Sequence, residues 1–464
     1  MNNKILDENV KNVHFIGIGG ISMSGLAEIL HHNGLAVTGS DWEASDITDN
    51  LSELGIKIFI GHDEANISAE HDLVVYTAAV KPDNPELYAA RKNNIPAMER
   101  AKLLGLIIGG YKHSVGVAGM HGKTSTTAII SDVLLTAGLD PTISVGGFME
   151  SVNCNYRIGD SQFLVAEACE YSDSFLHFHP FVGVILNIDS DHLDYFGTMD
   201  NIVASFCKYA KNIPAEGSLV IHGDTLYIDK VLDGLTCNVI TYGRQGSDFE
   251  AANISYNEDG YPNFDIICKG VKMGNVSLKL RGTHNIDNAL AATAVAAALA
   301  LPVDDILKGL ESASGVKRRY EHKGSFNGIT VIDDYAHHPE EIKPNLSAAA
   351  KGPFKRIICA FQSHTYSRTQ NLLHEFSTAF DYCHTVLVLP VYASREVFAG
   401  HKENPIAKEL SERINKNGIR SHYMESFESA ANWIKKHMEK GDLLITMGAG
   451  DINKLGEGLL SGEY

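Results

Sequence analysis

A glycine-rich turn that opens into Lys-Thr constrains this chain more than any other feature: Val117-Ala-Gly-Met-His-Gly-Lys-Thr-Ser-Thr-Thr127 stands between an apolar run and a stretch with helical periodicity. Residues 114–118 are expected to form a strand, and 124–137, stopped by Gly138, a helix. A strand that enters a helix through such a turn belongs to an α/β sheet and presents a phosphate cradle. Glycines at 119 and 122 let backbone amides face phosphate oxygens, and the helix N-terminus adds about half a positive charge. Gly119, Met120, His121, Gly122, Lys123, Thr124 and Ser125 are therefore candidates for holding a nucleoside triphosphate. Lys123 would meet the β and γ phosphates, and the Thr124 hydroxyl a magnesium ion. The strict P-loop pattern has glycine where Val117 stands, so the match is to a variant of it.

A second turn of this kind lies near the start, in Val13-His-Phe-Ile-Gly-Ile-Gly-Gly-Ile-Ser-Met-Ser-Gly25. An apolar strand leads into Gly17, Gly19 and Gly20; a helix is expected over about 22–33 with Gly34 as its stop, then a strand from 35 that ends at Asp41. That is a nucleotide-binding βαβ unit, with Asp41 placed to hold a ribose. The dinucleotide fingerprint asks for glycine or alanine where Ser22 stands, which weakens an NAD reading. The plainer alternative is that these glycines only allow tight packing of strand on helix.

The 464 residues suggest about three domains. A formal charge of −18, from 39 Lys+Arg against 57 Asp+Glu, would repel a phosphodiester backbone, and no basic run offsets it. Nucleic acid is excluded as a partner on that ground. The seven cysteines are scattered without Cys-x-x-Cys pairing, as in a reducing compartment. The polar N-terminus has no signal core, and no apolar run reaches about 18 residues, so a cytoplasmic protein without membrane contact is expected.

Strands are expected at 57–60, 73–76, 163–166, 182–186, 219–221 and 239–242, and again at 330–332, 356–361, 386–389 and 443–446. A polar alternating region over 249–280 reads as antiparallel, and an alanine-rich helix follows over 285–300. The alternation of strands and helices gives an α/β fold with parallel sheets. Boundaries near Gly109-Gly110 and Gly315 divide it into 1–110, 111–315 and 316–464.

Phe163-Leu-Val-Ala-Glu-Ala-Cys-Glu170 ends a buried strand in Glu167, where open sheets present functional groups and where a carboxylate could hold magnesium. The next strand ends in Asn187-Ile-Asp-Ser-Asp-His-Leu-Asp194. His192 would be an unusual magnesium ligand, acceptable at a second, partly hydrated ion. Asp173, Asp189, Asp191 and Asp194 are expected to shape the loop. In Gly282-Thr-His-Asn-Ile-Asp-Asn288, Asn285 and Asn288 stand about one turn apart and could read an adenine edge, or simply cap the helix.

Taken together, Gly17-Ile-Gly-Gly-Ile-Ser-Met-Ser-Gly-Leu-Ala-Glu28, Gly119-Met-His-Gly-Lys-Thr124, Ala166-Glu-Ala-Cys-Glu170, Asp191-His192 and Asp333-Asp-Tyr-Ala-His-His-Pro339 resemble the Mur ligases, and within them the branch that joins L-alanine to UDP-N-acetylmuramate. The resemblance implies three domains: a Rossmann-like N-terminal domain for the UDP-sugar, a central P-loop ATPase, and a C-terminal Rossmann-like domain that closes over ATP and receives the amino acid. Its implied cofactors are ATP and Mg2+, and its implied state a monomer or homodimer. Gly17, Gly19, Gly20, Ser22 and Asp41 would contact the UDP-sugar. Lys123 would hold phosphate, Thr124 and Glu167 one magnesium, and Glu167 with His192 a second. Asn285 and Asn288 match adenine contacts, Arg319 a phosphate-reaching arginine, and Asp334 a ribose contact. Tyr335, His337, His364 and Arg368 match groups around the amino acid. Many relatives carry proline at Ser363 and a second arginine at Thr365, so one guanidinium of the pocket is missing here. Three histidines, His121, His337 and His338, are candidate bases for the incoming ammonium.

Three other readings are open to this chain. A ligase that recycles a whole tripeptide shares the first glycine string, but the Asp191-His-Leu-Asp-Tyr-Phe196 context favours the single-residue enzyme. A dehydrogenase built on Gly17 to Gly25 leaves the P-loop unexplained. A non-catalytic nucleotide sensor would bind ATP without turnover.

Overall fold

The structure, a computed structural model, describes residues 6–7, 9–77, 80–190, 193–257, 260–393 and 405–464. It divides into two compact units. Met1–Ala252, Ile266–Gly274 and Asp287–Ala313 make one; Asn253–Asp265, Asn275–Ile286 and Ser314–Tyr464 make the other.

The first sheet holds β1 (Asn12–Ile16), β2 (Ala36–Asp41), β3 (Lys57–Ile60), β4 (Leu73–Tyr76) and β5 (Ala97–Glu99) in the order β3-β2-β1-β4-β5, all parallel. Its strand order reverses at β1, and ligands bind outside the carboxyl ends of strands at such a switch point. The glycine turn leaves β1 there, with Gly17 at φ 79° and the helix Ile21–His32 starting at Gly20 without a side-chain cap. An uncapped helix start leaves amides for an anion.

The second sheet comprises β6 (His113–Ala118), β7 (Thr142–Met149), β8 (Cys154–Arg157), β9 (Phe163–Glu167), β10 (Val182–Ile185), β11 (Ser218–His222), β12 (Asn238–Gly243), β13 (Phe249–Tyr256), β14 (Pro262–Cys268) and β15 (Val271–Ser277). Its order is β15-β14-β13-β12-β11-β10-β6-β9-β7-β8. β6 is central, parallel to β10 on one side and β9 on the other, and β8 is an antiparallel edge. The polar 249–280 region is the β13–β15 end of this sheet, where Lys269 and Gly270, at φ 48° and 80°, make the two-residue turn of a hairpin. β12 and β13, however, run parallel. The helix Lys123–Thr136 leaves β6 through Gly122, which is left-handed at φ 85°. The alanine-rich helix His284–Ala298 is buried along most of its length, because methyl side chains let it lie close to its neighbours.

The first two sheets pack through small residues. Gly25 lies under the Tyr156 ring, with room for a Cβ only 3.0 Å from it, and Tyr156 donates its hydroxyl to Glu28. Gly105, in the helix Arg100–Gly109, sits against the backbone of His177.

The third sheet has β16 (Glu321–Phe326), β17 (Ile329–Asp334), β18 (Ile357–Phe361), β19 (Thr385–Val388), β20 (Arg420–Tyr423) and β21 (Leu443–Met447), ordered β16-β17-β21-β18-β19-β20. Only the β16–β17 pair is antiparallel. Alternate residues of β18 serve two cores: Ile357, Cys359 and Phe361 one face, Ile358 and Ala360 the other. Helices on both faces force that pattern.

Candidate active site

The phosphate loop is built by its strand, its helix and two neighbouring strand ends. Gly119 adopts φ 144° and Gly122 φ 85°, conformations that a side chain would strain, and a Cβ on Gly119 would stand 2.9 Å from Leu186. The helix Lys123–Thr136 has no side-chain cap at Gly122, so its first amides face the loop. Thr124 is buried in the first turn and Ser125 half-buried beside it. Asn187, at the exit of β10, ties the loop from the side: its Oδ1 accepts from the His121 amide at 3.0 Å and its Nδ2 donates to the His121 carbonyl at 3.0 Å. Met120 is buried.

Lys123 lies inside this loop and donates to the Gly119 carbonyl at 2.6 Å, the Met120 carbonyl at 3.2 Å and Glu170 Oε1 at 3.0 Å. Its Nζ stands 2.9 Å from Glu170 Oε2, and the carboxylate is buried. Burial works against the ammonium, yet Glu170, with smaller help from Cys169 and Glu167, more than restores it, so the lysine stays charged above its ordinary value. Glu170 is the residue that sequence reasoning left without a role. Only its place three residues after Glu167 marked it.

Glu167 ends β9, which pairs with β6 so that Val117 lies opposite Glu167. Its Oε1 accepts the Gly146 amide at 2.5 Å, and a Cβ on Gly146 would come 2.9 Å from that oxygen. Gly146 was also missed; a glycine in a strand was its only signal. A hydroxyl and a carboxylate beside a phosphate loop suit magnesium, which keeps several waters and takes few protein ligands. No group of three or more His, Cys, Asp or Glu residues that could hold a metal by themselves occurs among the described residues. Asp191 and His192 lie outside the described residues. Asp173 accepts from Tyr195 at 3.0 Å and from Ser205, and Asp189 from the Ser190 amide at 2.7 Å, so both shape the loop as expected.

The two asparagines differ in setting. Asn288 Oδ1 accepts from Thr126 Oγ1 at 3.0 Å and stands 3.2 Å from a Cβ placed on Gly122, at the edge of the phosphate loop. Asn285 donates to the Arg281 carbonyl at 2.7 Å.

Asp41 is occupied: Oδ2 accepts the Gly19 amide at 2.8 Å and Oδ1 the Trp42 amide at 2.8 Å. It ties the first glycine turn to the end of β2. Ser22 is exposed.

In the second unit, β17 exits into Asp334-Tyr335-Ala-His-His338. Asp334 Oδ1 accepts from the Ala336 amide and Asn345 Nδ2, both at 2.8 Å, and Oδ2 from the Tyr320 amide at 2.7 Å. Burial pushes this carboxyl up to about 6, against the pull of Arg319 and of those amides. In this structure it organises the loop, and a ribose would have to compete with those donors. Arg318 is equally committed, at 3.0 Å from Asp333 and 2.8 Å from the Gly448 carbonyl. Arg319 lies over the Tyr335 ring at 5.3 Å and 3.6 Å from Glu341. His337 stacks edge-on with Tyr335 at 5.4 Å and with His364 at 6.0 Å, and His364 lies on Tyr392 at 5.8 Å. Burial lowers His337 to about 4; Glu341 opposes this, while Arg368 adds to it. The imidazole is therefore neutral at pH 7. His338 caps the helix Pro339–Ala350 by accepting the Glu340 amide at 3.4 Å. Thr365 has φ 64°, rare for a β-branched residue, and caps the helix Tyr366–Asn371 through the Arg368 amide at 3.4 Å. Tyr335, His337 and His364 are thus brought together, and the Arg368 charge is felt at His337.

Residues 12–112 match the model of the Mur ligase family, catalytic domain; 117–296 match the Mur ligase middle domain; and 318–450 match the Mur ligase, glutamate ligase domain. A UDP-N-acetylmuramate–L-alanine ligase of Clostridium acetobutylicum is 48% identical over 451 residues, covering 97% of this chain and 98% of its own. One from Acetivibrio thermocellus is 48% identical over 456 residues, covering 98% and 96%. The crystal structure of the Thermotoga maritima UDP-N-acetylmuramate–alanine ligase superposes with a TM-score of 0.80 at 29% identity, over 97% of this chain and 99% of that one. With all three of its domain models matched in order and half its residues shared with such relatives, the chain belongs to the Mur ligases.

Proposed function

We propose that this protein ligates L-alanine to the lactyl carboxylate of UDP-N-acetylmuramate through an acyl phosphate, with ATP converted to ADP and phosphate, in peptidoglycan precursor synthesis. The observation that carries the reading is the likeness, at 48% identity over 97% of the chain, to ligases of that name. The segments 1–110, 111–315 and 316–464 would serve the UDP-sugar, ATP and the amino acid in turn. The compartment that fits is the cytoplasm; no helix among the described residues is long and apolar enough to cross a membrane.

A carboxylate is a poor electrophile, so a lactyl oxygen attacks the γ phosphorus and ADP leaves, giving an acyl phosphate. The amine then attacks the acyl carbon and phosphate leaves. Neither step needs a covalent protein nucleophile. Catalysis is positioning plus neutralisation of crowded anions, with Lys123 and Arg319 as the protein's cations. Thr124 and Glu167, with His192, are the residues that would hold Mg2+, which when bound supplies further positive charge at the phosphates. The alanine carboxylate would lie against Arg368 and His364. Its ammonium must lose a proton, and His337, neutral at pH 7, is available but, at about 4, a weak base. ADP release in the presence of UDP-N-acetylmuramate, measured across a panel of amino acids, tests the proposal: release should require the sugar nucleotide and be fastest with L-alanine. Release with ATP alone, or only with a tripeptide, would overturn it.

A further inference from the structure

Beneath the first glycine turn lies a buried polar cluster that the reaction as described does not use. Glu86, in the first turn of the helix Pro85–Lys92, is fully buried. Its amide is capped by Asn84 Oδ1 at 2.9 Å. Its Oε2 accepts from Ser40 Oγ at 2.7 Å and lies 2.9 Å from His62 Nδ1; its Oε1 accepts from Asn66 Nδ2 at 2.6 Å and lies 3.6 Å from His14 Nε2. Burial alone would raise this carboxyl, but His14 nearby and the bonds from Ser40 and Asn66 more than reverse that and hold it below its ordinary value.

The groups that Glu86 grips are the ends of the strands that carry the turn. The Ser40 carbonyl accepts both the Gly17 and the Ile18 amides, at 2.8 and 3.0 Å. The next carbonyl, of Asp41, accepts the Gly61 amide at 2.7 Å, and Asp41's side chain holds Gly19. Asn66 also donates to the Gly61 carbonyl at 3.1 Å. Through Ser40 on β2 and through His62 and Asn66 after β3, one carboxylate therefore sets the position of Gly17, Ile18 and Gly19. A buried charge with several donors is costly to disturb and rigid when satisfied.

We propose that Glu86 is a positioning residue for UDP-N-acetylmuramate, acting through Ser40 and His62 to hold the glycine turn in register for the nucleotide diphosphate. This rests on the reading that the turn receives the sugar nucleotide. Glu86→Gln keeps the volume but removes the charge and turns an amide donor toward Asn66 or toward Ser40 and His62, so the clamp weakens. Ser40→Ala removes a single strand of the clamp and leaves Glu86 with its other donors, and serves if Glu86→Gln does not fold.

The experiment is steady-state kinetics with each of the three substrates varied in turn, beside calorimetric titration with UDP-N-acetylmuramate. For Glu86→Gln, KM and Kd for the sugar nucleotide should rise about tenfold or more, as for other outer partners of a binding site, while KM for ATP and alanine and the saturated rate stay within about twofold. Ser40→Ala should move the same constants in the same direction by less. A fall in melting temperature with all three KM values unchanged, or an equal rise in all three, would overturn the proposal. Wild-type protein that shows no turnover with UDP-N-acetylmuramate would instead defeat the functional reading beneath it.

Discussion

Lys123 and Glu170 form the tightest ion pair of the phosphate loop, at 2.9 Å with the carboxylate 1% exposed. Removing one partner of a buried pair leaves the other uncompensated, which typically costs about 3 to 5 kcal/mol. Glu170→Gln should therefore raise KM for ATP far more than KM for alanine, and lower the thermal midpoint; an unchanged ATP constant would show that the ammonium finds its charge balance elsewhere. At the amino-acid end, Arg368 is the one guanidinium that the matched segment keeps. Lysine cannot reproduce its planar fork, so Arg368→Lys should raise KM for L-alanine about tenfold and leave KM for ATP nearly unchanged, by steady-state kinetics. Equal shifts in both would place Arg368 at phosphate. The residue types at these places are legible in the sequence, because a Gly-Lys-Thr turn after an apolar strand and a carboxylate at the next strand's exit are what a phosphate site demands and little else does. What escapes is partnership. Nothing in the spacing says that Asp41 and Asp334 spend their oxygens on backbone amides, or that Glu170 rather than Glu167 meets Lys123.

Elements with strong periodicity or long apolar runs are legible nearly to the residue, β3 and β4 among them. Those that escape are short, polar or interrupted. β16, Glu-His-Lys-Gly-Ser-Phe, is an antiparallel edge with charged residues and a bulge, and β7 contains Gly146-Gly147. Edge strands need no apolar alternation on the side they leave open. The hairpin end of the second sheet shows in the sequence, but its parallel β12–β13 junction does not, because pairing direction across a loop of five residues leaves no mark in composition. Helix packing is equally silent. Alanine for glycine inside a helix ordinarily stabilises by about 1 kcal/mol. In the helix Arg100–Gly109 the sign should reverse, because a Cβ at Gly105 would overlap the His177 carbonyl at the end of the segment that starts beyond Glu170. Gly105→Ala should lower stability by about 1 to 3 kcal/mol, seen as a reduced denaturant midpoint. An increase would mean that the contact yields at no cost.

At the scale of the whole chain, three sheets with the same parallel logic carry the likeness to three family models, and the overall α/β class is legible from strand–helix alternation alone. The grouping into two compact units is not, since it depends on close approaches such as Gly25 under Tyr156, which no pattern of the sequence announces. The choice of nucleotide for the first sheet is a property of the full protein. Ser22 stands exposed where a dinucleotide fold has glycine or alanine. Calorimetry should accordingly give a binding isotherm with UDP-N-acetylmuramate and flat heats with NAD; micromolar NAD binding would reopen the dehydrogenase reading. The central place of β6 has one further result. Flanked by parallel neighbours on both sides, and with the Gly116 carbonyl also taking the Tyr209 hydroxyl at 2.7 Å, its amide hydrogens should trade with solvent deuterium among the slowest of the unit, measured by hydrogen exchange. The strand at the root of the nucleotide loop is thereby expected to be among the last parts of its unit to open.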